Sequence, residues 1–341
     1  MPEPLAIEIR DLYKIFGAHP AAHVEAVRAG MTKTELNQRH RHVLGLRDIN
    51  LSIDPGSIQV VMGLSGSGKS TLIRHINRLI EPTAGQIVIG GQDVLAMAPA
   101  ALRDFRRHQT AMVFQKFALL PHRTVIDNVS YGLEVQGVAQ DRRHREASRW
   151  IERVGLAGYE NRYPSQLSGG MQQRVGLARA LTNDAPILLM DEAYSALDPL
   201  IRYDMQTVLL DLQKEIRKTI VFITHDFDEA LRIGDRIALL RDGSVIQEGT
   251  GQDMVLRPAD DYVASFVQHV DRAKVVQAAS VMQPLSGEAT GPTIPARSGL
   301  GEAIRAMSAG GIDRVTVVDE AGRAIGVLPM TRAIAVAAGD S

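Results

Sequence analysis

Cysteine is missing altogether from the 341 residues. That rules out disulfide staples and thiolate-held metal, and it is compatible with a reducing compartment without requiring one. Aromatic residues are scarce at 4%, with a single tryptophan. No charge of one sign builds up, because 38 basic residues meet 39 acidic ones for a formal net charge of −1. A dedicated nucleic-acid binder carries a basic surplus, so no nucleic-acid partner is expected. Long apolar runs are lacking too, and none approaches the roughly 20 residues that cross a bilayer. Met1–Arg10 carries charged residues and no apolar h-region, so no signal peptide is expected. A role at a membrane would therefore require another polypeptide to hold this one there.

What is present is an ordinary globular composition, 45% hydrophobic and 23% charged, on a chain long enough for one large domain and a small one. Ile7, Ile9, Leu12, Tyr13 and Ile15 alternate with polar residues, which suits a strand ending at Phe16. Residues 17–45 form a polar insert rich in His and Arg. Thr32 and Glu35 have capping-box spacing there, so part of it is expected to be helical. His19, His23, His40 and His42 of the insert lack organised carboxylates beside them and read as a solvated helical hairpin rather than a metal site. Beyond Leu46, Ser57–Met62, Ala111–Phe114, Ile187–Met190 and Thr219–Thr224 are short unbroken apolar runs. Such runs read as parallel strands covered on both faces, and their alternation with helical text implies an α/β domain. Strand runs vanish between Gln115 and Gln173, where an inserted helical subdomain is expected over about 116–173. The α/β domain is expected to span 1–270, with a linker over 271–293 marked by its Pro/Gly/Ser/Thr-rich stretch. A small α+β unit over 294–341 follows, with a helix at Leu300–Met307 and strands at Arg314–Asp319 and Ala324–Leu328.

Gly63-Leu-Ser-Gly-Ser-Gly-Lys-Ser70 follows a strand and opens a helix. Glycines at 63, 66 and 68 let the backbone curl until its N–H groups, with Ser65, Ser67 and Thr71, face a phosphate. Lys69 brings a positive charge to the β- and γ-phosphates of ATP, and the Ser70 hydroxyl is a ligand for Mg²⁺. The apolar run Ile187–Met190 ends in Asp191 and Glu192 at the sheet edge where ligands of open α/β sheets bind. Asp191 is placed to hold Mg²⁺ through water, and Glu192 to polarise the water that attacks the γ-phosphate. Gln115 and His225 end two further strands at that edge. Each alone reads as a solvated strand terminus; together Gln115 suits sensing of Mg²⁺ or water, and His225 a hydrogen bond to the γ-phosphate.

Leu167-Ser-Gly-Gly-Met-Gln-Gln-Arg174 opens a helix on a capping serine and two glycines, itself an anion-binding terminus. GLSGSGKS, Gln115, LSGGMQQR, ILLMDE, SALD (Ser195–Asp198) and His225 stand in the order found in ATP-binding subunits of ABC transporters. The chain is similar to that family from about Ile7 to Val267. The resemblance implies a P-loop NTPase (ABC ATPase) fold in which two copies pair head to tail. Ser168, Gly169 and Gly170 would then grip the γ-phosphate bound at the partner's Lys69, and Asp198 would lie at the dimer interface. Phe16 matches an aromatic that stacks on adenine; its other reading is a core phenylalanine. The insert, YPSQLSGGMQQRVGLARAL and DEAYSALDPLIR further resemble the ATPases of glycine betaine/proline (quaternary amine) importers, with Tyr194 where phenylalanine is usual. This implies an ATPase on the cytoplasmic face of the plasma membrane. Its permease partner would dock near Gln115–Val125 through Phe117, Leu119, Leu120 and Pro121, and a secreted or periplasmic substrate-binding protein would be an indirect partner. Ile294–Ala335 resembles one CBS unit, where those importers commonly carry two. An ABC importer ATPase for another small solute and a non-transport ABC ATPase are the alternatives.

Overall fold

All residues of three short strands, Ile58–Met62 (β3), Ile187–Asp191 (β7) and Thr219–Thr224 (β8), are buried. Strands with no exposed face must lie inside a sheet covered on both sides. In the computed structural model, which describes residues 2–285 and 291–339, they occupy the middle of a six-stranded sheet. Its order is β10-β9-β3-β8-β7-β6, with β6 at Thr110–Phe114, β9 at Arg236–Arg241 and β10 at Ser244–Gly249. The pairs β3–β8, β3–β9, β6–β7 and β7–β8 are parallel, so the carboxyl ends of β3, β6, β7 and β8 share one edge. That shared edge positions the site.

A second sheet of four strands has the order β2-β1-β4-β5, with β1 at Ile7–Phe16, β2 at Val43–Ile53, β4 at Ala84–Ile89 and β5 at Gln92–Asp93. The helix Lys69–Ile76 lies in the core that joins the sheets: its Leu72, Ile73 and Ile76 cluster with Ile7 and Ile9 of β1 and with Ile187 and Val221. Between β1 and β2 the insert forms helices Val24–Arg28 and Lys33–His40. The second begins with the expected reciprocal Thr32/Glu35 cap. The hairpin is not merely solvated: Val24, Val27 and Leu36 are buried with Tyr13, Ile15 and Leu44. The His23 ring centroid lies 4.4 Å from those of both His40 (tilted) and His42 (edge-on), and the two ring nitrogens of His42 each lie 2.6 Å from a backbone carbonyl, of His40 and Ala18.

Between β6 and β7 stand helices Val125–Val129, Tyr131–Val135, Gln140–Arg153 and Gly169–Thr182. They bury their own core of Val125, Val129, Ile151, Val154 and Val175, among others. Trp150 packs on that core with the Arg153 guanidinium 4.8 Å from its ring centroid, and Arg153 also pairs with Glu215 on the helix Pro199–Ile216.

Two compact units result, Met1–Ile246 and Gln247–Ser341. The division falls earlier than the expected boundary after residue 270, for a polar reason. Gln252, on the helix Gly251–Leu256, accepts from Gln277 N at 2.9 Å and Ser280 Oγ at 2.6 Å. The described part of the expected 271–293 linker holds helices Arg272–Val275 and Ala278–Val281 and a bridge from Gln283 to Val327. Residues 286–290 of that linker, and residues 340 and 341 of the expected terminal unit, lie outside the described residues. Within the second unit Thr293–Pro295 (β11), Arg314–Val318 (β12) and Ala324–Pro329 (β13) form a sheet with helices Leu300–Gly310 and Met330–Ala338. The β11–β12 pair is parallel and β12–β13 antiparallel.

Candidate active site

After β3 the chain turns through Gly63 at φ 145°, Gly66 at 79° and Gly68 at 106°. Gly63 has no room for a side chain, since a Cβ would stand 2.2 Å from the Leu240 carbonyl oxygen. Leu64, Ser65 and Gly66 form the exposed crest of the loop, while Ser67 and Lys69 are buried. Lys69 donates to the carbonyls of Gly63 at 2.8 Å and Leu64 at 3.1 Å. Thr71, half-buried on the helix, accepts from His75 Nδ1 at 2.6 Å through its carbonyl.

Glu192 is the meeting point. One carboxylate oxygen lies 3.6 Å from Lys69 Nζ; the other accepts from Gln115 Nε2 at 3.2 Å and lies 4.0 Å from His225 Nδ1. The residue holds a left-handed backbone at φ 47°, a conformation that costs a non-glycine residue about 1–3 kcal/mol and is kept where surrounding structure enforces it. Its neighbour Asp191, almost fully buried, accepts from Ser70 Oγ at 2.7 Å and from Arg74 Nη2 at 3.1 Å. His225, by contrast, has a side chain 57% exposed. It stands between β8 and the helix Phe227–Ile233, whose cap Asp226 accepts from Glu229 N at 3.1 Å.

The other candidates occupy separate places. Phe16, 39% exposed, ends β1 with Lys14 Nζ 4.9 Å from its ring centroid. Its ring lies against Gly45, where a Cβ would stand 2.6 Å from Cε2, and the Gly45 carbonyl in turn closes on Gly68. One glycine thus separates the exposed ring from the phosphate loop. Ser168 caps the helix Gly169–Thr182 by accepting from Met171 N at 3.4 Å. Gly170 packs on Ile201, which a Cβ would approach to 2.7 Å. Asp198 caps the helix Pro199–Ile216 by accepting from Ile201 N at 3.1 Å. Among the described residues, neither Ser168 nor Asp198 bonds to the phosphate loop or to Glu192 of its own chain.

The sequence pattern of the ABC transporter family matches residues 46–195. Over 326 residues the chain is 49% identical to the glycine betaine transport ATP-binding protein OpuAA of Bacillus subtilis, covering 96% of this chain and 77% of that protein. The chain belongs to the ABC-transporter ATP-binding family. The trimethylamine N-oxide transport system ATP-binding protein TmoW of Ruegeria pomeroyi is 44% identical over 322 residues, 94% of each chain. The ATP-binding cassette MJ0796, solved as a dimer in a post-hydrolysis state bound to ADP and Pi, superposes with a TM-score of 0.62 at 31% identity. That match covers 72% of this chain and 98% of the cassette.

Sequence reading passed over Arg74 of this ABC ATP-binding protein and gave Tyr194 and Ser195 no role of their own. Arg74 stands one helical turn beyond Ser70, a spacing that puts both on one face and could have flagged it as a partner of Asp191. Ser195 accepts from Gln115 Nε2 at 3.2 Å and donates to the Glu192 carbonyl at 3.0 Å. Tyr194 is completely buried 5.5 Å from the Phe222 ring, and burial pushes its hydroxyl pKa up. Leu119, expected at a docking surface, is half-buried and packs in part on the helical core.

Proposed function

We propose that this protein is the ATP-hydrolysing subunit of an importer for glycine betaine/proline-type osmoprotectants or other quaternary amines, working as a homodimer on the cytoplasmic face of a membrane. The observation that carries the ATPase reading is the convergence of Lys69, Gln115 and His225 on the Glu192 carboxylate, beside the bonded pair Ser70–Asp191. ATP would take the Lys69 ammonium from the carbonyls of Gly63 and Leu64, and the loop N–H groups would hold its β- and γ-phosphates. Glu192 would accept the proton of the attacking water while His225 steadies the γ-phosphate, releasing ADP and phosphate. Ser70 and Asp191 offer the hard oxygens that Mg²⁺ takes, so the residues fit that ion. Ser70 and Gln115 would hold it directly and Asp191 through water, and when bound it neutralises charge on the phosphates. Phe16 would stack on adenine. Ser168, Gly169 and Gly170 would complete the site of the partner copy, with Asp198 at the interface. A two-fold dimer then closes two equivalent sites.

Among the described residues no helix is long and apolar enough to cross a membrane, so this reading needs permease subunits. A cavity of about 340 Å³ beside β6 supports a docking place for them; Leu79, Phe114, Ala118 and Tyr131 line it. OpuAA and TmoW are named for solutes that share a fully substituted nitrogen, which supports the substrate class. The β-α-β-β-α order of residues 293–338 supports a single CBS-like unit.

Glu192→Gln tests the core of the proposal. It should retain ATP binding, lose turnover by about 100-fold or more as general-base removal does, and accumulate an ATP-dependent dimer. Hydrolysis at the normal rate would remove Glu192 from the base role. Uptake of labelled glycine betaine and trimethylamine N-oxide through the reconstituted permease tests the solute.

A further inference from the structure

Two residues beyond Gln115 stands Phe117, and its ring reaches the helix Gly169–Thr182. A side chain at Gly169 would begin 3.8 Å from Phe117 Cζ. The Phe117 carbonyl oxygen lies 3.8 Å from where a Cβ on Gly176 would stand, about two turns along the same helix. There Arg179 takes hold, with Nη2 donating to the Phe117 carbonyl at 3.1 Å and Nη1 to the Ala118 carbonyl at 2.7 Å. Both residues are left-handed, at φ 53° and 48°. Two successive non-glycine residues in that region persist only where their surroundings hold them, and the Arg179 fork supplies the hold. Arg179 pairs with no carboxylate among the described residues, and burial lowers its pKa. A planar guanidinium can grip two neighbouring carbonyls at once; a lysine ammonium does not match that geometry.

The other end of this short segment is Gln115, bonded to Glu192 and Ser195. One stretch of backbone therefore touches the hydrolytic carboxylate at one end and, at the other, the first glycine of the helix proposed to grip the partner's ATP. We propose that Phe117 and Arg179 are positioning residues that tie the state of Gln115 to the placement of Ser168–Gly170, so that the filling of one ATP site sets the geometry of the other. The inference rests on the composite-site reading above and names the link within each subunit.

The test uses full-length Arg179→Ala, Arg179→Lys and Phe117→Ala, with thermal midpoint, KM for ATP, kcat, and ATP-dependent dimerisation in the Glu192→Gln background. Expected is a fall in kcat of roughly tenfold, in the range of coupling between sites, with KM moving less than about twofold and dimerisation weakened. Arg179→Lys should keep the fold and recover only part of kcat. If Arg179→Ala does not fold, Phe117→Ala carries the test, because it leaves the backbone clamp intact and removes only the ring from Gly169. Unchanged kcat and dimerisation in the folded variants would overturn the proposal. So would a loss that falls on KM and the thermal midpoint together, which is the mark of ordinary packing. If the unmutated protein hydrolyses no ATP, and its Glu192→Gln form does not dimerise, the composite-site reading fails first and takes this inference with it.

Discussion

His75 stands one turn beyond Thr71 on the helix that opens at Lys69, fully buried, with Nδ1 donating to the Thr71 carbonyl. Burial drives its pKa from 6.5 down to about 4. In the unfolded chain the imidazole takes up a proton near 6.5, whereas in the folded protein it does so only near 4. Protonation therefore favours the unfolded chain, and stability present above 6.5 is lost as pH falls towards 4. The loss is on the order of 3 kcal/mol. His75→Leu should flatten the fall in thermal midpoint between neutral pH and pH about 4.5, at a cost of about 1 kcal/mol at neutral pH for the lost hydrogen bond. An unchanged acid slope would count against this assignment. At Gly63 the backbone is the constraint: with φ at 145° and the Leu240 carbonyl in the way, Gly63→Ala should displace the loop and abolish measurable ATP binding in an equilibrium assay. The residues named from sequence were those whose chemistry is announced by spacing, such as Lys69, Ser70, Asp191 and Glu192. Arg74 and Arg179 were passed over because arginines abound on helices, and what each one grips depends on tertiary placement.

The segment Leu120–Thr124 before the helix Val125–Val129 is held by one buried side chain. Asn128 donates to the carbonyls of Leu120, Arg123 and Thr124 and accepts from Leu120 N at 2.8 Å. Asn128→Ala would strand the Leu120 N–H and the Arg123 carbonyl, costing about 1–3 kcal/mol, and should loosen the helical part in hydrogen exchange while β3, β7 and β8 stay protected. Equal loss of protection across the sheet would contradict this. Elements with a local cause were legible in the sequence. The strands buried on both faces announce themselves as unbroken apolar runs, and the Thr32/Glu35 cap needs no information from further along the chain. The start of the second unit was not legible, because the bonds from Gln252 to Gln277 and Ser280 are polar contacts between residues that sequence treats as surface. The Phe117 ring, expected from sequence at a docking surface, also reaches Gly169 from a left-handed backbone, and no residue there is a glycine that would advertise the turn.

For the whole molecule, a composite site makes a prediction about mixtures. Ser168→Ala keeps its own Lys69, and Lys69→Ala keeps its own Ser168, so a mixed dimer would own one intact site while each pure variant owns none. ATPase activity should therefore appear on mixing two inactive proteins; its absence would count against sharing. The pairing of Arg153 with Trp150 and Glu215 has a consequence of another kind. The only indole in the chain belongs to the helical part, the guanidinium lies on its face, and the carboxylate that anchors that guanidinium belongs to a helix outside it. A turn of one part against the other would strain the ion pair and with it the seat of the cation on the ring, so this indole is placed to act as an optical gauge of such rotation, readable without a label. Emission should shift when ATP is added and stay still in Lys69→Ala.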